Sequence, residues 1–129
     1  MKPLSTFRLS NTVSLSLSPE LHDQINTSTT PTASMSAILR IALIRFLDAP
    51  TDQPNIDHLF KTAPMPKRTR SISLAIKSPE LRNQLDDYAN THNLTASAVI
   101  RRAAYEYTKD TEPNPTAMID AWGDAEKRS

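Results

Sequence analysis

Two short stretches of the chain alternate apolar and mostly hydroxyl-bearing residues with a period of two: Thr12-Val13-Ser14-Leu15-Ser16-Leu17 and Ser71-Ile72-Ser73-Leu74-Ala75-Ile76. That period predicts strands, with Val13, Leu15 and Leu17, or Ile72, Leu74 and Ile76, on one face and the small polar residues on the other. Each stretch runs into Ser-Pro-Glu-Leu, at Ser18 and at Ser78. This is a helix start: a Ser N-cap, Pro at the first helical position and an early acid. After Ser78, Leu81, Leu85, Tyr88 and Ala89 keep helical spacing, and Asn93 suits a left-handed C-terminal residue. After Ser18 only Leu21 and Ile25 continue the pattern before a Ser- and Thr-rich run, which predicts a short, frayed helix. The turn then falls near Thr32, a residue poorly suited to the left-handed region. A further helix follows in each copy, from a hydroxyl N-cap at Ser34 or Thr95. Met35, Ile38, Leu39, Ala42, Leu43, Phe46 and Leu47 line the first, and Val99, Ile100, Ala103, Ala104 and Tyr107 the second.

The chain is therefore an internal repeat of strand, helix and helix, with Ser36-Ala37-Ile38-Leu39-Arg40 echoed by Ser97-Ala98-Val99-Ile100-Arg101. One copy cannot satisfy a lone strand or enclose a core. Two copies solve both problems if their strands pair antiparallel over the four helices. The predicted divisions are an N-terminal arm (1–11), a first unit (12–49), a Pro-rich linker with a basic end (50–70), a second unit (71–109) and a C-terminal tail (110–129). The linker, with about 20 residues, spans up to about 60 Å when extended, enough for pairing within one chain. Within it, Ile56-Asp57-His58-Leu59-Phe60 suits a short docking turn.

Composition narrows the function. The 129 residues include one Gly and no Cys, which excludes Gly-rich phosphate loops, disulfides and thiolate metal sites. His22, His58 and His92 lack ligand spacing and read as surface residues, so neither a metal nor another cofactor is expected. No Ser, His and acid cluster, and an enzyme is not expected. Residues 1–18 lack the apolar core of a signal peptide. The most apolar run, Ile38–Leu47, is half a membrane span and carries Arg40 and Arg45, so a cytoplasmic setting without membrane contact is expected. Net charge is only +1, but Lys67, Arg68, Arg70, Lys77 and Arg82 face the single acid Glu80 in their segment, a local excess of four. Ala117-Met118-Ile119-Asp120-Ala121-Trp122, behind Pro113 and Pro115, predicts a short docking helix, serving either the chain's own core or a partner.

The duplicated pattern, over Thr12–Leu47 and Ser71–Tyr107, resembles the ribbon-helix-helix (MetJ/Arc) superfamily, and its single-chain layout is similar to TraY-like conjugation accessory proteins. The resemblance implies a mainly α fold with a two-stranded antiparallel β-ribbon, two ribbon-helix-helix units in tandem forming an intramolecular pseudo-dimer. It also implies that the ribbon enters the major groove of double-stranded DNA. Base contacts then fall to Thr12, Ser14, Ser16, Ser71, Ser73 and Ala75, with Ala75 suited to a thymine methyl. Phosphate contacts fall to the second-helix N-termini at Ser34, Ser36, Thr95 and Ser97, and to Arg8, Arg68, Arg70 and Lys77. Family members often carry Gly at the inter-helix turn, and Arg, Lys, Gln or Asn on the strand face. This chain has Thr32 or Asn93 at the turn and mainly Ser and Thr on the strands.

Each feature has a plainer reading. An alternating strand alone is most often half-buried sheet with a solvated hydroxyl face, and Lys67-Arg68-Thr69-Arg70 alone is a solvated run. Arg101 and Arg102 are expected on the wet side of their helix or paired with acids. Tyr88, Tyr105 and Tyr107 are expected in the core or at its rim. Two roles stay open for a DNA binder: a repressor, or a relaxosome accessory protein on an asymmetric site, toward which two unequal copies lean. Self-association on adjacent sites is compatible with either. The alternative from another class is an antitoxin or adaptor whose tail, Thr111–Ser129, captures a protein partner.

Overall fold

The computed structural model describes residues 12–52, 54, 59, 66–109 and 114–123. The arm with Arg8, most of the expected docking turn and the end of the tail lie outside the described residues. Seven elements follow one another: β1 (Thr12–Leu17), α1 (Pro19–Thr27), α2 (Met35–Asp48), β2 (Arg70–Ala75), α3 (Pro79–Thr91), α4 (Ala96–Thr108) and α5 (Pro115–Trp122). The protein is mainly helical, with a single two-stranded antiparallel sheet among the described residues.

Every helix begins where its sequence supplies an acceptor for the first-turn N–H groups. Ser18 Oγ accepts from the Leu21 N–H at 3.1 Å and Ser78 Oγ from Leu81 at 3.2 Å. Ser34 Oγ accepts from Ala37 at 3.3 Å and Thr95 Oγ1 from Ala98 at 3.1 Å. Asn114 Oδ1 caps α5 by accepting from Thr116 and Ala117. The α3–α4 turn uses Asn93 in the left-handed region (φ 57°), as expected, and the Leu94 N–H returns to the Ala89 carbonyl at 2.8 Å. The α1–α2 turn corrects the expectation for Thr32, since Asn93 is the one non-Gly residue with positive φ among the described residues. Here Thr30 and Ala33 exchange two backbone hydrogen bonds across Pro31-Thr32, and Thr30 Oγ1 accepts from the Thr32 N–H. A closed four-residue turn replaces the left-handed residue. α1 is short, with nine residues against thirteen in α3.

The ribbon lies over the helices with its apolar face down. Leu15, Leu17, Leu74 and Ile76 are buried in one core with Leu21, Ile25, Leu39, Leu43, Leu85, Val99 and Ile100. α2 and α4 make the most extensive helix–helix contact, and α5 lies against α1 and α4. Trp122, at the end of α5, is 1% exposed and tilts against Phe46, which meets Tyr88 edge-on at 5.6 Å. The expected docking helix therefore exists and completes the chain's own core. Leu59, in the linker, is half-buried against the same cluster.

One expectation for charged residues, a wet helix face, is corrected. Arg101 and Arg102 are not on a wet face but are 6% and 5% exposed. Arg101 Nη1 donates to the Ser16 carbonyl at 3.1 Å, and the Arg102 guanidinium sits 4.7 Å from the centre of the Trp122 ring. A guanidinium can be buried at modest cost when an aromatic face or a carbonyl replaces its water. The Trp122 indole N–H donates to the Glu106 carboxylate at 3.2 Å. His22 is half-buried at the surface, and His92 is exposed and stacks on Tyr88.

Candidate nucleic-acid interface

The two strands pair as Thr12–Ala75, Val13–Leu74, Ser14–Ser73, Leu15–Ile72, Ser16–Ser71 and Leu17–Arg70. The pleat sends alternate residues to opposite faces. Thr12, Ser14, Ser71, Ser73 and Ala75 are exposed and Ser16 is half-exposed, whereas Val13, Leu15 and Leu74 are buried and Ile72 is half-buried. All six residues expected on the outer face are thus brought together on it, as three facing pairs. A shift of one residue would have exchanged the faces.

A two-stranded ribbon has two edges whose backbone acceptors find no strand partner. Side chains from the second helices supply donors. Ser97 Oγ, in the first turn of α4, donates to the Ser14 carbonyl at 2.8 Å, and Arg101 follows one turn later at Ser16. On the other edge Arg40 Nη1, from α2, donates to the Ala75 carbonyl at 3.5 Å. The N-terminal half of each second helix is therefore held beside the strand of the other copy. Ser34 and Thr95 spend their oxygens as caps. A first turn still leaves N–H groups without intrahelical partners, and Ser34 and Thr95 are exposed, with Ser36 and Ser97 half-exposed. These four residues lie at the N-termini of α2 and α4, and Ser97 touches the ribbon edge directly.

Of the five cations in the basic segment, two are engaged inside the protein. Arg82 pairs with Asp86 at 3.2 Å. Arg68, expected at the phosphates, donates from Nε to the buried carboxylate of Asp120 and from Nη2 to the Asp120 carbonyl at 3.0 Å. A carboxylate with no solvent exposure needs a counter-charge, and Arg68, still 23% exposed, supplies it. Lys67, Arg70 and Lys77 are exposed. Arg70 stands at the ribbon end opposite Leu17, and Lys77 lies two residues beyond Ala75.

The Asp120 cluster escaped the sequence reading. Its second carboxylate oxygen accepts the Ser18 backbone N–H at 2.8 Å, so one side chain joins α5, the end of β1 and the approach to β2. The available signal was an acid in the middle of the apolar run Met118–Trp122, because such an acid must find partners if the run is buried. Among the described residues, no three His, Asp or Glu gather as a metal site, and no helix is long and apolar enough to cross a membrane. Four open surface clefts of a few hundred Å³ lie among the described residues, and none of these four is lined by the ribbon's outer face. Comparison with protein-family models, with curated proteins and with solved structures finds no match.

Proposed function

We propose that the chain is a tandem ribbon-helix-helix protein, an intramolecular pseudo-dimer that binds double-stranded DNA sequence-specifically through its ribbon, and that it is not an enzyme. The observation that carries this reading is the ribbon register. Strand positions of the two copies differ by 59 (Thr12 to Ser71, Ser14 to Ser73). Applying that offset to the pair Thr12–Ala75 returns the pair Ser71–Ser16, and Ser14–Ser73 returns itself. The pairing thus follows a two-fold relation through Ser14–Ser73, the relation that two separate chains of a symmetric dimer would have. The reciprocal reach of Arg40 to β2 and Arg101 to β1 supports the same relation.

A two-stranded ribbon fits the major groove, where each base pair offers a distinct pattern of donors, acceptors and methyl groups. Five hydroxyls and one methyl face outward. Each hydroxyl donates or accepts, and Ala75 suits a thymine methyl. Exposed Lys67, Arg70 and Lys77 supply the salt-dependent, sequence-independent part of the affinity, and the first turns of α2 and α4 offer N–H groups to phosphates. The end pairs differ, Thr12 with Ala75 and Ser16 with Ser71, so the recognised site is asymmetric. An asymmetric site leans toward a relaxosome or plasmid-transfer accessory role, with repression of transcription as the other role of the same surface. Capture of a protein partner by the tail is the weaker reading, since Ala117, Ile119, Ala121 and Trp122 are buried in the chain's own core.

Selection from random double-stranded DNA by the purified chain tests the proposal. The expected result is a short asymmetric motif bound with salt-sensitive, nanomolar-range affinity. A folded chain that enriches nothing would refute it.

A further inference from the structure

We propose that Asp120 is a positioning residue that makes the two ends of the ribbon mechanically unequal. It anchors the Leu17–Arg70 end, so that the half of a DNA site beneath Ser16 and Ser71 is read more strictly than the half beneath Thr12 and Ala75. The consequence for DNA rests on the reading above, whereas the anchor itself rests on geometry alone.

Asp120 has no solvent exposure. One carboxylate oxygen holds the N–H of Ser18, the residue that follows β1, and the other holds Nε of Arg68, two residues before β2. Leu17 faces Arg70, so both attachments grip the same end of the ribbon, from both of its strands. The partners lie 102 and 52 residues from Asp120 along the chain, so the tie is wholly tertiary. Buried, charge-assisted hydrogen bonds of this kind are among the strongest a protein makes.

Nothing comparable acts at the other end among the described residues. Ser78, the counterpart of Ser18, is exposed, and one α5 serves two copies of the repeat. The tie at that end runs from Arg40 to the Ala75 carbonyl, at the 3.5 Å limit of a hydrogen bond and in an exposed setting. A recognition surface that is already fixed cannot shift to accept a wrong base pair, whereas a looser one adapts at little cost. The two-fold relation of the register is therefore broken by α5, and the break falls on specificity.

The test compares the full-length chain with Asp120→Ala and with the double variant Arg68→Met/Asp120→Leu. The double variant removes both ties but keeps the site filled with apolar side chains, so it carries the test if Asp120→Ala fails to fold. Hydrogen exchange without DNA is read first. Protection at the Ser18 amide is expected to fall at least about tenfold further in the variants than protection at Thr12–Val13, which falls only with global stability. Duplexes with single base-pair substitutions, drawn from the selected motif, are read second. In the wild type, substitutions beneath Ser16 and Ser71 are expected to cost at least about threefold more in affinity than those beneath Thr12 and Ala75, and the variants are expected to close that gap. A loss of protection at Ser18 no greater than that at Thr12–Val13, or equal halves in the wild type, overturns the proposal. A wild type that binds no duplex at all overturns the DNA reading instead, and Ser18 exchange still decides whether the anchor exists.

Discussion

Replacing Asp120 by Ala removes the carboxylate on which three elements converge. Two groups lose their partner together. The Ser18 N–H, in a residue with no exposure, is left without an acceptor, and the Arg68 side chain, 23% exposed, loses the Asp120 carboxylate. An unsatisfied buried N–H costs about 1–3 kcal/mol, and breaking one side of a buried ion pair costs about 3–5 kcal/mol. The two penalties overlap, and the partial exposure of Arg68 lets water recover some of the second. We therefore expect a loss of about 3–4 kcal/mol, a large share of the 5–15 kcal/mol typical of a domain. Trp122 is the single Trp and is buried two residues from the substitution, so its fluorescence reports urea unfolding directly. With a slope near 1.5 kcal/mol/M, about what a chain of this size gives, the midpoint falls by about 2 M. The variant Arg68→Met/Asp120→Leu replaces both halves of the pair with apolar side chains and is expected to regain about half of the loss. A loss under about 1 kcal/mol for Asp120→Ala is the behaviour of a surface pair. It would refute the reasoning that α5 is anchored by a buried charge.

Further outcomes follow from the same geometry. Leu74→Ser puts a hydroxyl into a fully buried site in β2 and is expected to cost about 4 kcal/mol or more, unfolding the chain by circular dichroism. Ser73→Ala, on the opposite face of the same strand, is expected to change stability by less than about 0.5 kcal/mol while weakening specific DNA binding about tenfold. Unfolding by Ser73→Ala would mean that the register is wrong by one residue. Lys77→Ala is expected to weaken binding to all duplexes alike and to lower the slope of log affinity against log salt by about 1; a change confined to one sequence would assign Lys77 to a base instead. Burial, and then the neighbouring Glu106 carboxylate, push the Tyr105 phenol up to about 12 from its ordinary value of 10.0. Its folded form therefore holds the proton more tightly than its unfolded form. The resulting stability is complete below about pH 10 and is lost between about pH 10 and 12, on the order of 2–3 kcal/mol. Urea midpoints at pH 9 and 11.5 check this against Tyr105→Phe, whose decline over the same range is expected to be smaller. That substitution strands no partner, because the Tyr105 hydroxyl has none among the described residues.

The elements that depend on local chemistry were legible in the sequence. Period-two alternation identifies both strands and the faces of Ser14 and Ser73, because the pleat leaves no other arrangement once one face is buried. Ser18, Ser34, Ser78 and Thr95 mark helix starts because a hydroxyl N-cap satisfies donors only there, and Asn93 marks a turn because it tolerates positive φ. What was not legible depends on partners far along the chain. Arg101 and Arg102 are adjacent charges in a helix and read as solvated, yet their guanidinium groups meet a β1 carbonyl and the Trp122 ring, which no local pattern foretells. Arg68 reads as part of a basic run until Asp120, 52 residues away, claims it. At Thr32 the sequence pointed to a strained residue, and the chain instead closes a small turn between Thr30 and Ala33 that needs none. The outer face of the ribbon was thus legible because it follows from the pleat, whereas the tie between Arg68 and Asp120 was not, because it depends on the tertiary core.

The measurement that bears most directly on the ribbon as a DNA-reading surface is a titration of the isotopically labelled full-length chain with its selected duplex, followed by heteronuclear NMR. The account predicts that the largest amide shifts fall on Thr12–Ser16 and Ser71–Ala75 and on the first turns of α2 and α4, with α5 unmoved. Shifts concentrated on α1, α5 or the exposed side of α2 around Ile41 and Ile44, with the ribbon unchanged, would contradict it.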